Sequence, residues 1–326
     1  MEMRSRSGQG AFMSRKGIEL SERFYLAYGE PMLREFSELS GLVAAGLVGA
    51  GSECFGYDDE ISRDHDFEAG FCLFLPDESL VDRKQAFALE RAYAKLPREF
   101  EGVARPPLDP VGGNRHGVIR LSEFLKQKTG REDGKLSLRE WFFVPEQSLL
   151  EVTNGKIFRD PLGEVSAARE RLAYFPEDVR RKKLAGKLLL AAQSGQYNYA
   201  RCVARGESAA AQLALSEFVQ SILHVIFLLN RRYLPYYKWS FRALRDLATL
   251  SESEEKLEYL ISSKNTPDEF SVKTKIIEEI AQSIANELWR QGLSDRPNAD
   301  LEAHAYAVND RIADESVRNL HILYAV

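Results

Sequence analysis

The residues best suited to chemistry lie between Gly46 and Asp77, in GLVGAGSECFGYDDEISRDHDFEAGFCLFLPD. Gly51-Ser52 closes an apolar run, and after an eleven-residue spacer comes Asp64-His65-Asp66. On an extended chain residues i and i+2 share a face, about 7 Å apart at a rise of roughly 3.3 Å per residue. Asp64 and Asp66 then point one way and His65 the other. Two carboxylates so placed repel each other unless a cation offsets the charge. Mg²⁺ suits them, since it takes one or two carboxylates together with substrate phosphates. Upstream, the Gly-Ser turn supplies backbone amides and a hydroxyl. A helix starting there would add its N-terminal dipole, a seat for phosphate. Together these parts suit metal-assisted phosphoryl or nucleotidyl chemistry.

Two other readings of the same residues fit less well. GAGSECFG (Gly49–Gly56) begins like the G-x-G-x-x-G dinucleotide fingerprint, but Cys54 stands where the third glycine belongs. The chain also never continues into repeated βα units. His65-Asp66 would suit a histidine–aspartate phosphohydrolase, yet the other four histidines form no matching pattern.

Gly-Ser, a spacer and Asp-x-Asp resemble the signature of the nucleotidyltransferase superfamily, with its polymerase-beta-like fold. Within it the chain is similar to the kanamycin-nucleotidyltransferase-like group. It is closer to an uncharacterised bacterial branch carrying GSECFGYDDEISRDHDF, GQYNYAR and NRRYLPYYKW. The resemblance spans Gly17 to Leu250. It implies that Gly51 and Ser52 hold the triphosphate of an NTP, ATP first among them. Asp64 and Asp66 would be the catalytic metal ligands for Mg²⁺, or Mn²⁺ in its place. The product would be an NMP-modified acceptor hydroxyl, with pyrophosphate released. A third acid, common on the next strand in that superfamily, is missing from HGVIRLSEF. That segment offers His116, Val118 and Arg120 on one face and Glu123 only at its end. Glu151 and Asp160 are the outside candidates for the third acid. In the helical half, Asn230, Tyr237 and Lys238 of NRRYLPYYKW are candidates for nucleotide binding. Lys238 could donate to phosphate as a point charge. Tyr197, Asn198 and Arg201 of GQYNYAR are further candidates, with Tyr197 and Arg201 at i,i+4 on one helix face. A catalytically idle nucleotide sensor or interaction module of the same fold is the alternative, motivated by the missing acid.

The elements that must position these residues are legible in the periodicity. Gly17–Leu39 reads as helix with a break at Gly29-Glu30-Pro31. Leu42–Gly49 and Arg63–Leu75 read as strands, Asp77–Leu96 as a helix with an acidic first turn, and Arg105–Gly117 as a loop. Val118–Leu125 reads as a third strand, PEQSLLEVTNG as a short helix and KIFRDP as a strand. From about Ser166 every segment reads as helix. Apolar residues at 215, 218, 219, 222, 226 and 229 mark one buried helix, and Ile276, Ile277, Ile280, Ile284 and Leu288 another that ends at Gly292. Pro235 is expected to end or kink the first of these. The fold class is therefore α+β, an N-terminal mixed sheet with helices followed by an all-α bundle. The expected divisions are a tail over 1–16, a catalytic domain over 17–165 and a helical substrate-binding domain over 166–326.

Composition bounds the partners. The length, 326 residues, favours two domains over one. A net charge of -5 gives no general attraction for nucleic acid. RRKK (Arg180–Lys183) reads as a solvated helix face beside Glu177 and Asp178, and as the one compact basic patch an RNA acceptor could use. Cys54, Cys72 and Cys202 are too few and scattered for a disulfide framework or a zinc site, which suits a cytoplasmic setting. The basic first 16 residues have no apolar core behind them and read as a tail rather than a secretory signal. The most apolar run, Ile222–Asn230, is far shorter than the roughly 20 residues that span a bilayer, so no membrane anchor is expected.

Overall fold

The computed structural model describes residues 17–59, 68–105, 115–324 and 326. The protein is α+β, with a small mixed sheet and a helical C-terminal region. It forms two compact units, Met1–Gly134 with Glu151–Leu172, and Lys135–Leu150 with Ala173–Val326. One boundary near 165 is suggested by the sequence; the chain passes between units near 134, 150 and 172.

Among the described residues the first unit has six strands: β1 (Ala44–Leu47), β2 (Cys72–Leu75), β3 (Glu99–Phe100), β4 (Val103–Ala104), β5 (Gly117–Arg120) and β6 (Lys156–Arg159). Four of them make one sheet in the order β5-β2-β1-β6. β1 runs antiparallel to both β2 and β6, while β2 and β5 are parallel, with Cys72 opposite Gly117. Every residue of β1 and β2 is buried, which is why AAGL and CLFL are unbroken apolar runs rather than alternating ones. The N-terminal helix packs Leu20, Phe24 and Tyr25 into a core with Phe71, Leu73, Leu89 and Tyr93. Burying a side chain of that size stabilises the fold by roughly 1.5–3 kcal/mol. Tyr93 also fixes backbone, since its hydroxyl donates to the Phe71 carbonyl at 2.8 Å and accepts the Phe71 N–H at 3.2 Å. The break expected at Gly29 takes the form of a π-helical turn, Tyr25–Gly29, between helices Gly17–Phe24 and Glu30–Glu35. The helix expected from Asp77 begins later, at Arg83, because Asp82 and Gln85 form a reciprocal capping box.

Several expectations need correction. Val118–Leu125 is not one strand: β5 stops at Arg120 and a helix, Leu121–Thr129, follows at once. Of the strand expected over Arg63–Leu75, residues 63–67 lie outside the described residues, 68–71 are not strand, and β2 covers Cys72–Leu75. The β3–β4 hairpin was not anticipated, although its turn, Glu101-Gly102, has both residues at positive φ, 50° and 80°, as a tight two-residue turn demands.

In the second unit, helix Glu177–Ala191 packs against Ser208–Leu229 and Leu301–Asp310. Leu215, Phe218, Val219, Ile222, Ile226 and Leu229 are all buried, as their spacing requires. The helix Pro267–Arg290 ends with Gly292 at φ 66° just beyond it. Ser208–Leu229 ends at Asn230 and Arg231, the latter at φ 53°, so Pro235 does not terminate it. Pro235 instead precedes the next helix, Tyr237–Arg245. At 22 residues Ser208–Leu229 is long and apolar enough to cross a membrane by length and composition, which the shorter Ile222–Asn230 run concealed; 61 % of its apolar window is buried inside the unit.

The RRKK segment is also corrected. Arg180, Lys182 and Lys183 are buried rather than solvated. Arg180 donates to Glu177 and to the Leu228 carbonyl, and Lys182 donates to Asn309 Oδ1 and the carbonyls of Arg318 and Leu320. A buried ammonium persists when its protons are all placed, as those of Lys182 are, and Arg180 and Lys182 are structural.

Candidate functional site

Strand register brings four chain segments to one end of the sheet. β1 ends, and β2, β5 and β6 begin, at this same end, because Gly46 faces Cys72, Cys72 faces Gly117 and Leu47 faces Lys156. The turn after β1 is clamped from the segment before β6. Asn154 Oδ1 accepts the Gly49 N–H at 3.0 Å, and its amide donates to the Gly49 carbonyl at 2.8 Å. Arg169 in turn donates to the carbonyls of Val152, Thr153 and Asn154, which end the helix Glu146–Thr153. Gly155 sits at φ 64°, where a Cβ would fall on the Leu47 carbonyl oxygen, so the Asn154-Gly155 pair is matched to this close approach.

Gly51 adopts φ 120° and ψ 147°, and Ser52 opens a single helical turn, Ser52–Phe55. The Arg115 guanidinium, on the approach to β5, donates to the Ala50 carbonyl at 2.8 Å and to the Glu53 carboxylate. Glu53 is buried, so this ion pair sits inside the turn rather than on its surface. A Cβ on Gly51 would fall on both partners. The Ser52 hydroxyl makes no hydrogen bond among the described residues.

Beside the turn, Glu68 Oε1 lies 2.5 Å from His116 Nδ1. Burial pushes the Glu68 carboxyl up, but the hydrogen bond and charge of His116, with Arg115 beyond, outweigh it and hold the carboxyl below its usual range. Burial pushes the Cys72 thiol up to about 12 and raises that of Cys54 as well, so neither is a ready nucleophile. Cys54 and Cys72 are free and buried, and Cys202 is free and half-buried.

Asp64 and Asp66, the expected metal ligands, lie outside the described residues, as does 1–16. They fall in the segment 60–67 that joins the turn after β1 to the approach to β2. Among the described residues no group of three or more His, Cys, Asp or Glu side chains is arranged to hold a metal ion. β5 itself carries no carboxylate. Glu123 lies in the helix that follows it. Glu151 pairs with Lys128 at 2.5 Å, and Asp160 accepts the Ser166 N–H at 2.7 Å beyond the far end of β6.

Sequence reasoning missed Glu53, Arg115 and Asn154. It saw His116 without its partner Glu68. A signal for Glu68 was available: in Asp64-x-Asp66-x-Glu68 the acids alternate.

The candidates of the second unit fall in two neighbourhoods. Tyr197 lies in a π-helical stretch, Ala192–Tyr199, with Asn198 beside it. The Arg201 guanidinium donates to the Tyr197 hydroxyl at 2.5 Å and lies 4.6 Å from its ring centroid. Tyr237 and Lys238 open the helix Tyr237–Arg245, where Lys238 Nζ stands 5.0 Å over the Trp239 ring and the Tyr236 and Tyr237 rings lie 4.2 Å apart, tilted at 43°. Asn230 is occupied with backbone, donating to the carbonyls of Ile226 and Thr249 and accepting the Thr249 N–H. The Tyr237–Arg245 helix packs on Ser208–Leu229 and Glu254–Ser262, whereas the Tyr197 stretch packs on other helices as well as Ser208–Leu229.

A domain of unknown function, DUF4037, matches residues 141–240, under a third of the chain. No curated protein and no solved structure matches. The matched segment contains GQYNYAR and NRRYLPYYKW and excludes Gly51, Ser52, Asp64 and Asp66.

Proposed function

We propose that this protein is a Mg²⁺-dependent nucleotidyltransferase that transfers NMP from an NTP, ATP first, to an acceptor hydroxyl. The supporting observation is the convergence of the Gly51–Ser52 turn with the starts of β2 and β5, joined in sequence by the segment carrying Asp64 and Asp66. In this reading the Ser52 hydroxyl and the amides of its turn donate to the triphosphate, and Asp64 and Asp66 hold Mg²⁺. The metal would neutralise charge on the α-phosphate and on the departing pyrophosphate. The acceptor oxygen bonds to the α-phosphorus, the bond to the β-phosphate oxygen breaks, and the hydroxyl proton leaves to a base. The buried Arg115–Glu53 pair and the Asn154 clamp keep the turn in one conformation, so its donors are oriented before the nucleotide arrives. A cytoplasmic setting fits three free cysteines.

A second reading, a nucleotide-binding module without turnover, is favoured by one observation. β5 carries no carboxylate, and the nearby Glu53 and Glu68 are engaged with Arg115 and His116. Melting with each of the four NTPs and Mg²⁺, followed by a pyrophosphate-release assay across sugar, aminoglycoside and tRNA acceptors, separates the two. A ligand bound only by the folded state raises its stability, by about 2.7 kcal/mol at a hundredfold excess over Kd. Ser52→Ala should leave the apo melting temperature unchanged, since its hydroxyl has no partner among the described residues, and should weaken the NTP response. An unchanged NTP response in Ser52→Ala would remove that hydroxyl from the site.

A further inference from the structure

The second unit contains a cavity of about 260 Å³ lined by Phe142, Phe143, Glu146, Lys183, Lys187 and His224, with Leu228 and Val326 adding apolar wall. All of these residues belong to the helical unit. The volume is slightly below the range of about 300–1,000 Å³ usual for ligand pockets, which points to a small ligand.

The charges around it do not balance. Lys183 is 8 % exposed, and among the described residues its ammonium has only the Phe142 carbonyl at 3.5 Å and the Phe175 ring at 5.1 Å. No carboxylate comes within ion-pairing distance of it among the described residues. Lys187, one helical turn on, is half-buried and likewise makes no ion pair there. Residues at i and i+4 share a helix face, so the two ammonium groups repel each other. The carboxylate that lines the cavity, Glu146, is already committed. It accepts the Leu234 N–H at 2.8 Å and lies 3.5 Å from His224 Nδ1. Glu217, the other acid whose charge reaches Lys187, accepts the Ser221 hydroxyl. Burial lowers the pKa of both lysines, a cost of holding cations away from water. An anion entering the cavity would offset that cost, and the aromatic and aliphatic wall would cover an apolar body.

We propose that this cavity binds a small organic carboxylate, its charged end between Lys183 and Lys187 and its apolar body against Phe142, Phe143 and Leu228. Among the residues that line the cavity, two lysines face one carboxylate, Glu146, an excess of one positive charge that matches a monoanion. The site is separate from the nucleotide reading, and its test needs no nucleotide.

The test is calorimetric titration of the full chain with benzoate, acetate and benzylamine, in wild type, Lys183→Met and Lys187→Gln. Benzoate should bind saturably, acetate more weakly for want of an apolar body, and benzylamine not at all. Each lysine variant should bind benzoate about tenfold or more weakly, the loss expected for one charge-assisted hydrogen bond. Lys183→Met should also melt no lower than wild type, because it removes an ammonium that has no ion-pair partner among the described residues. Lys187→Gln, at a half-exposed position, keeps the test open if Lys183→Met fails to fold. Absence of saturable benzoate binding, equal binding of benzylamine, or benzoate binding undisturbed in Lys187→Gln would overturn the proposal.

Discussion

At the scale of single residues, the Gly51 turn is held by charge. Glu53 is buried and Arg115 is its partner, so removing the guanidinium leaves a carboxylate inside the turn without its cation. Breaking a buried pair by deleting one member costs about 3–5 kcal/mol, whereas replacing both members can be nearly neutral. Arg115→Ala should therefore be the most damaging variant in this region, and Arg115→Ala with Glu53→Ala should recover part of the loss. Urea unfolding of the four proteins of that cycle measures it, and additive losses would show that the two side chains act independently. The same geometry explains why a bulky residue at Gly51 is a poor probe of phosphate binding. It would meet φ 120° and the ion pair before it met any ligand.

Glu68 gives a pH signature. Its carboxyl is held below the ordinary 4.5, with burial opposing and His116 prevailing. A carboxyl lowered on folding contributes stability that is complete above its unfolded pKa and is lost as pH falls through the folded one. Wild type should therefore exceed Glu68→Gln in stability at neutral pH, and the two should converge below the ordinary carboxylate range. Parallel stability curves from pH 7 down to pH 3 would contradict the contact with His116.

At the scale of elements, Asn230 shows how a residue in a motif can serve the fold. Its side chain ties the end of Ser208–Leu229 to Thr249 by bonds in both directions. Asn230→Ala should destabilise the protein by about 1–3 kcal/mol, the cost of leaving such groups unpaired. Its response to Mg²⁺ and NTP should stay intact, and thermal melts with and without ligand check both halves. A lost ligand response at normal apo stability would return Asn230 to nucleotide binding.

The elements most legible in the sequence were those whose residue pattern fits one period throughout. Ser208–Leu229, Pro267–Arg290 with Gly292, and β6 after the Asn154-Gly155 turn belong here. Less legible were boundaries where one pattern runs into another. Val118–Leu125 is apolar enough for a strand throughout, yet its second half is helix, because Leu121, Phe124 and Leu125 also fit a helical face. RRKK was misread because charge alone suggested solvent; its burial rests on carbonyls from distant segments, Arg318 and Leu320, that local sequence does not reveal. The Gly51–Ser52 turn was legible, while the Arg115–Glu53 pair that holds it joins residues 62 apart in sequence and left no local trace.

At the scale of the whole molecule, two compact units of this size need not melt as one, so a ligand response is best read as a shift of the apparent transition. The central claim is that Asp64 and Asp66 serve a metal and a nucleotide rather than the fold. Melting temperatures with and without Mg²⁺ and NTP, for wild type, Asp64→Asn and Asp66→Asn, test it most directly. Like charges close together destabilise, so the apo variants should melt at or slightly above wild type, by tenths of a kcal/mol to about 1. Their stabilisation by Mg²⁺ with NTP should largely disappear, together with pyrophosphate release. Clear apo destabilisation with the ligand response undisturbed would mean that the two aspartates hold the chain together and that the nucleotidyltransferase account is wrong.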